Sequence, residues 1–174
     1  MQECKRCLYT EDFPLISFDE EGICNYCHEY DQLCEEYPTG EKGQKRLEDI
    51  AAKIKEDGKN KPYDVIIGVS GGCDSSFLLH QAIELGLRPL AVHFDNTWNS
   101  TIATQNIRKL TEKLNIDLHT VIADNKEYDD IYRAFIKSGV PDIEAPTDIA
   151  LAAVMYGTAA KYGIKYSFNG HSFR

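Results

Sequence analysis

The segment Ser70-Gly71-Gly72-Cys73-Asp74-Ser75-Ser76 holds the residues best suited to chemistry. It follows the apolar run Val65-Ile66-Ile67-Gly68-Val69 and opens the stretch Phe77-Leu78-Leu79, an order that reads as strand, glycine loop, helix. A glycine pair lets the backbone turn tightly and approach a ligand. The following helix turns its free N–H groups and positive dipole end into that loop. With the hydroxyls of Ser70, Ser75 and Ser76 the segment makes a socket for phosphate or pyrophosphate. The GxxxxGK[ST] spacing and its lysine are missing, and so is GxGxxG. The alternative is a Gly-Gly connection that holds no ligand.

The second cluster is Cys4-x2-Cys7 and Cys24-x2-Cys27. Two such knuckles can wrap one tetrahedral zinc, a metal that thiolates suit. Phe13 to Phe18 and the turn Asp19-Glu20-Glu21-Gly22 predict a short hairpin arm between them. Two disulfides or an iron–sulfur cluster are the competing tenants. No secretory h-region stands before Cys4, which points to a reducing, cytoplasmic setting. His28 is a potential substitute ligand or an ordinary surface residue. Cys34 and Cys73 are left over, Cys73 as a reactive thiol at a helix start or as a small apolar spacer.

Elements that position these groups follow from the pattern of the whole chain. The length, 174 residues, suits one medium domain with a small attachment, and 43% hydrophobic residues support a packed core. No run of about 18 apolar residues occurs, so no membrane span is expected. The net charge is -9. Residues 1–62 carry 9 basic and 15 acidic side chains and residues 63–174 carry 10 and 13, which argues against a broad nucleic-acid surface. Residues 1–36 read as the zinc-binding knuckle. Residues 37–62 read as a helix over 41–57, with Leu47, Ile50, Ala51 and Ile54 on one face, and a linker. From 63 to 174, strands at 64–69, 89–94, 118–122 and 165–168 alternate with helices at 75–85, 100–114, 126–138 and from 147 or 148 to 163. Ser100 is the cap of the second of these helices. Such alternation predicts an α/β fold, a Rossmann-like parallel sheet with helices on both faces and ligands beyond the carboxyl ends of its strands. Ser70–Ser76, His93–Asn99 and Asn169–Arg174 gather at those ends.

The loop resembles the SGGxDS loop of the PP-loop ATP pyrophosphatases, enzymes of HUP-like fold that split ATP into AMP and pyrophosphate. Cys4-Lys5-Arg6-Cys7, Phe18-Asp19-Glu20-Glu21-Gly22-Ile23-Cys24-Asn25-Tyr26-Cys27, the SGGxDS loop and Asn169-Gly170-His171-Ser172-Phe173-Arg174 together resemble the N-acetyl sugar amidotransferases of that superfamily. These act in bacterial surface-sugar biosynthesis, including lipopolysaccharide O-antigen and pseudaminic or legionaminic acids. The resemblance runs from Cys4 to Arg174. Chains of that family continue further, so this sequence is expected to be an N-terminal portion whose PP-loop domain and sugar pocket are incomplete.

The resemblance implies ATP, Mg²⁺ and Zn²⁺ as cofactors. An acetamido oxygen would be adenylated, and ammonia would then displace AMP to leave an acetamidino sugar. Ser70, Gly71, Gly72, Ser75 and Ser76 would hold pyrophosphate. Asp74 would hold Mg²⁺, or cap the helix instead, and His93 and Asp95 would lie near the nucleoside or metal. Gly170 and His171 match a glycine–histidine pair at a strand end, which makes Ser70, Asp74 and His171 the expected catalytic groups. Arg174 and the segment 141–148 stand as further contacts. The chain is too short for a glutaminase domain, so a separate glutaminase pair, or free ammonia, is the expected nitrogen source. The expected substrate is an N-acetylated, nucleotide-linked sugar, with no membrane and no nucleic acid as partner and with homo-oligomers left open. A tRNA-modifying PP-loop enzyme of thiolase or lysidine synthetase type is the alternative function, and a non-catalytic nucleotide-binding module is a third.

Overall fold

A computed structural model describes residues 2–170 of the chain. Among them the chain divides into two compact units, residues 2–49 and 50–170. In the first unit, Cys24 is the N-cap of helix α1 (Asn25–Glu36) and Cys27 lies in its first turn, and α2 (Gly40–Gly58) begins there and runs on into the second. The hairpin arm is shorter than the sequence suggests. One antiparallel bridge, Phe18 to Cys24, closes the Asp19–Gly22 turn, and Glu3 pairs with Thr10 around the first knuckle. Phe13 to Ile16 makes a turn of its own, with Leu15 at φ 58°. Helix α1 is absent from the sequence reading. Its N-cap, Cys24, makes no side-chain cap bond, so none of the usual start signals marks it.

The second unit is a four-stranded parallel sheet in the order β3-β2-β1-β4. Its strands are β1 (Val65–Gly68), β2 (Pro89–Asp95), β3 (Leu118–Ile122) and β4 (Tyr166–Phe168). Helices α3 (Cys73–Glu84), α4 (Thr101–Leu114), α5 (Asn125–Ser138) and α6 (Ala145–Tyr162) connect them. Val65-Ile66-Ile67 is apolar throughout because β1 is buried on both faces. Val65 and Ile67 join Ala51 and Ile54 of α2, Leu79 and Ala82 of α3 and Ile107 of α4 in one core. Ile66 joins Leu90, Val92 and Ile164 in the other, covered by Val154, Met155 and Ala159 of α6. Helices therefore lie on both faces, as the alternation predicts. No helix among the described residues is long and apolar enough to cross a membrane.

From β1 the chain steps outward to β2 and β3, then returns to set β4 on the other side of β1. This reversal opens a crevice at the carboxyl ends of β1 and β4, where sheets of this class take ligands. Two starts differ from expectation. Helix α3 begins at Cys73, so Cys73 and Asp74 belong to its first turn rather than to the loop. Helix α6 begins at Ala145, since Pro146 is tolerated in a first turn that needs no N–H donor. Ser100 does cap α4, its Oγ accepting from Ala103 N at 3.1 Å.

At the opposite edge of the sheet, Arg88 clamps the strand starts. Its Nη2 and Nε donate to the two carboxylate oxygens of Asp64 at 2.6 and 3.0 Å, and its guanidinium also reaches the carbonyls of Lys61 and Gly58. Asp64 is 5% exposed, and a Cβ on Gly58 would collide with its Oδ1 at 2.1 Å. Burial raises the Asp64 carboxyl, but the Arg88 bonds outweigh it and hold it below the ordinary carboxylate value. A depressed carboxyl contributes stability that is present above its unfolded value, about 3.9, and is lost as pH falls through the folded one. Asp64→Asn is expected to cost about 2 kcal/mol at neutral pH and to flatten the loss of stability below about pH 4. Urea titrations of both proteins across that range check it.

Candidate functional site

The glycine loop leaves β1 through Val69 and Ser70. Gly71 stands at φ 80°, and a Cβ there would meet the Ala103 carbonyl oxygen of α4 at 2.4 Å. Only glycine fits both the left-handed backbone and the close approach. Asn106 of α4 donates from Nδ2 to the Gly71 carbonyl at 3.1 Å and fastens the loop from outside. Gly72 is the N-cap of α3 and supplies no side chain to its first-turn N–H groups, so they face the loop uncapped. Ser75 Oγ accepts from Ser70 N at 3.3 Å and lies 3.5 Å from Ser70 Oγ, which closes the loop into a ring. Ser76 Oγ donates to the Gly72 carbonyl at 2.7 Å, so its hydroxyl is spent on the loop's own backbone.

Asp74 sits in the first turn of α3, exposed, and is not the helix cap. The end of β4 passes against it: a Cβ on Gly170 would stand 3.3 Å from Asp74 Cβ and 3.6 Å from Leu78. The sheet reversal thus brings Ser70–Ser76 and Gly170 together across the β1/β4 crevice. His171 and Arg174 lie outside the described residues.

His93 is 7% exposed at the end of β2. Its Nδ1 bonds the Val69 carbonyl at 2.8 Å, which makes Nδ1–H the donor and leaves Nε2 to accept from Asn99 Nδ2 at 3.4 Å. Asn99 Nδ2 also donates to Asp95 Oδ1 at 2.9 Å, and Thr97 N donates to the same oxygen at 2.8 Å. A line of hydrogen bonds therefore runs from the loop's first residue through His93 and Asn99 to Asp95, whose Oδ2 has no bond among the described residues. Asn99 and Asn106 carry this support and were not singled out from the sequence. The only signal for them was the polar content of the 93–99 loop and of an otherwise amphipathic helix.

In the first unit the Sγ atoms of Cys4, Cys7, Cys24 and Cys27 lie within 4.8 Å of one another. Cys4 and Cys27 are 3.9 Å apart and Cys7 and Cys24 3.5 Å, with no disulfide among them. Zn–S bonds of about 2.3 Å at tetrahedral angles put sulfurs about 3.8 Å apart, so the four thiols fit one mononuclear ion. A cubane cluster, with each thiolate on a different iron, needs wider spacing. Burial pushes the Cys4 thiol up, but the N–H groups of Cys7, Arg6 and Cys24 outweigh it and bring it down to about 6. Burial pushes Cys27 up to about 12. His28 is not a member of the group: its Nε2 pairs with Asp19 Oδ2 at 2.7 Å, and Asp19 Oδ1 accepts from Ile23 N within the hairpin turn. Cys34 and Cys73 are free thiols, Cys73 exposed.

No protein-family profile matches the chain. It is 29% identical over 171 residues to an uncharacterized protein of Methanocaldococcus jannaschii, covering 97% of this chain and 58% of that protein. It is 28% identical over 130 residues to the tRNA-specific 2-thiouridylase MnmA of Proteus mirabilis, covering 66% of this chain and 35% of that one. The chain thus spans little more than half the length of these relatives at most. Among solved structures it resembles the NH3-dependent NAD synthetase of Campylobacter jejuni, with TM-score 0.52, 20% identity, and 74% of this chain against 56% of that chain. It also resembles the U34-tRNA thiolase NcsA of Methanococcus maripaludis with its [4Fe-4S] cluster, with TM-score 0.50, 14% identity, and 99% of this chain against 55% of that chain. The fold is that of the PP-loop ATP pyrophosphatases, as the SGGxDS loop implies.

Two outcomes are expected from this geometry. Gly71→Ala must strain φ and displace α4, costing about 2 kcal/mol or more and weakening ATP binding, whereas Gly72→Ala, whose Cβ would meet only Ser70 Oγ at 3.5 Å, should cost much less. Thermal melts with and without ATP compare the two. One zinc per chain is expected at the four cysteines. Chelation or Cys24→Ser should unfold residues 2–30 while the sheet persists, read by elemental analysis and by hydrogen exchange.

Proposed function

We propose that this chain is the ATP-binding portion of an amidotransferase that converts the acetamido group of a sugar into an acetamidino group. The observation that carries the reading is the crevice where the uncapped start of α3, the forced glycine Gly71 and the carboxylate of Asp74 meet the end of β4. Exposed N–H groups there suit the β- and γ-phosphates, and a carboxylate beside phosphates is repulsive unless a divalent cation lies between them. Asp74, with Asp95 across the β2 end, would hold Mg²⁺, which supplies charge neutralisation on the phosphates. The residues and spacing from Cys4 to Gly170 that resemble the sugar amidotransferases support the acceptor class, and an NH3-dependent synthetase among the structural neighbours fits an amidating chemistry.

The chemistry follows from a poor leaving group. The amide oxygen attacks the α-phosphorus of ATP, the bond to the bridging oxygen breaks, and pyrophosphate departs. Ammonia adds to the imidate carbon, the C–O bond to AMP breaks, and the acetamidine remains, taking up a proton. Loop N–H groups and the Ser70 and Ser75 hydroxyls would hold the departing pyrophosphate, so charge is stabilised where it develops. His171, which follows Gly170 in the sequence, would donate to the same phosphates. A glutaminase pair would supply ammonia, and the reaction belongs in the cytoplasm, where ATP and nucleotide sugars meet.

A tRNA-thiolating reading is favoured by the thiouridylase relative and by the U34-tRNA thiolase among the similar structures. Against it stand the net charge of -9, which gives little phosphate-neutralising surface, and the close thiol cluster, which suits one ion. AMP release from the full-length protein separates the two readings. It should require an N-acetylated nucleotide sugar, with ammonium needed for the amidine seen by mass spectrometry. Asp74→Asn should lower Mg-dependent turnover about a hundredfold with little change in melting temperature. Tight, salt-sensitive tRNA binding without sugar-stimulated AMP release would transfer the assignment to thiolation.

A further inference from the structure

The carboxyl edge carries a second feature that the ATP chemistry does not use. Trp98, in the loop after β2, is 50% exposed and is braced from behind by two tyrosines of α5. Its ring centroid lies 4.5 Å from Tyr132 and 5.5 Å from Tyr128, both edge-on or tilted, and Tyr128 in turn meets Phe94 of β2 at 5.6 Å. The tyrosine hydroxyls converge on Thr147 of α6: Tyr128 lies 2.7 Å from Thr147 Oγ1, and Tyr132 bonds it as well. Tyr132 also donates to Glu144 Oε2 at 3.3 Å, and Asp142 Oδ1 accepts from Glu144 N at 3.0 Å. Burial pushes the Tyr132 hydroxyl up to about 12, so it stays a donor.

The loop itself is built rigid. Asp95 Oδ1 accepts from Thr97 N, Asn96 Oδ1 accepts from Trp98 N at 3.1 Å, and Thr97 is held at φ 67°. The same Asp95 is tied through Asn99 and His93 to Val69 at the mouth of the phosphate loop. A half-exposed indole three residues from Asp95, with the Glu144 carboxylate held by a hydroxyl of its own ring cluster, is an expensive arrangement for a surface loop with no ligand.

We infer that Trp98 is the platform for the acceptor sugar, stacking on the apolar face of an N-acetylhexosamine ring while Glu144 accepts from its hydroxyls. The rim decides the class of occupant. Glu144, held by the Tyr132 hydroxyl, and Asp142, which accepts from Glu144 N, put carboxylate acceptors beside the ring cluster, which suits a ring rich in hydroxyl donors. An aromatic plane supplies area at low entropic cost, and carboxylates accept hydroxyl hydrogens in fixed directions. The assignment also gives a role to the 141–148 segment, whose Glu144 and Thr147 hold the two tyrosines that brace the indole.

This assignment rests on the amidotransferase reading but has its own test. Trp98 is the single tryptophan of the sequence, and subtracting the spectrum of Trp98→Phe isolates its emission from any other fluorophore. Titration with UDP-N-acetylglucosamine should give a saturable emission change that Trp98→Phe lacks, while ATP·Mg binding is the same in both proteins. In the full-length enzyme Trp98→Phe and Glu144→Gln should each raise KM for the sugar about tenfold and leave KM for ATP unchanged. Trp98→Phe keeps an aromatic ring against Tyr128 and Tyr132, so loss of folding does not confuse the result. Unchanged sugar KM in both variants, with sugar-dependent AMP release intact, would overturn the platform and leave the amidotransferase reading standing. An emission change with ATP·Mg alone would put adenine on the ring and overturn it too. A response to single-stranded RNA but not to the sugar, with no sugar-stimulated AMP release, would overturn both readings.

Discussion

The close approach of Gly71 to Ala103 is the constraint on which the site depends. There is no room for a Cβ, which would stand 2.4 Å from the Ala103 carbonyl oxygen, so the loop and α4 are in close backbone contact. That contact sets where α3 begins, and so where its uncapped N–H groups point. It also sets where α4 begins, and so how the loop from Asp95 to Ser100 must run to reach it. The glycine loop, the Asp95 carboxylate and the Trp98 ring are therefore positioned around one contact between that loop and α4. Asn106 secures it with a side-chain bond to Gly71 O, and His93 secures it from below through Val69.

The two edges of the sheet are built on opposite rules. At the amino edge, Arg88 satisfies both oxygens of Asp64 and two carbonyls, and hardly a donor is left over. At the carboxyl edge donors and acceptors are left unspent: the first turn of α3 has no cap, Asp74 has no bond among the described residues, and Asp95 uses one oxygen only. These groups face solvent, and under the proposed function they are the ones a phosphate and its cation would engage.

Much of this was legible in the sequence, for definite reasons. Strand β1 is apolar at every position because it is covered on both faces, and the glycine loop names its own turn; together these placed the sheet, the crevice and Ser70 to Ser76. The knuckle spacing gave the four-thiol cluster. What escaped was whatever depends on contacts between distant residues. Nothing local distinguishes Asn99 and Asn106 from solvated polar residues until α4 is packed on the loop. Helix α1 lacks a capping side chain, and the cysteine pattern drew the reading toward an irregular knuckle. Asp74 moved from loop to first helical turn because Gly72, with no side chain, ends up as the cap. The ring cluster of Phe94, Trp98, Tyr128 and Tyr132 joins residues from three elements, which no periodicity along the chain reveals.

Charge ties the two halves of the edge together. Asp74 stands in the first turn of α3 and Asp95 ends β2, while Asp142 and Glu144 stand beside the ring cluster. On the proposed reading, a nucleotide that carries its own divalent cation would suit these carboxylates, the cation against them and the phosphates against the start of α3, better than a strand of RNA would.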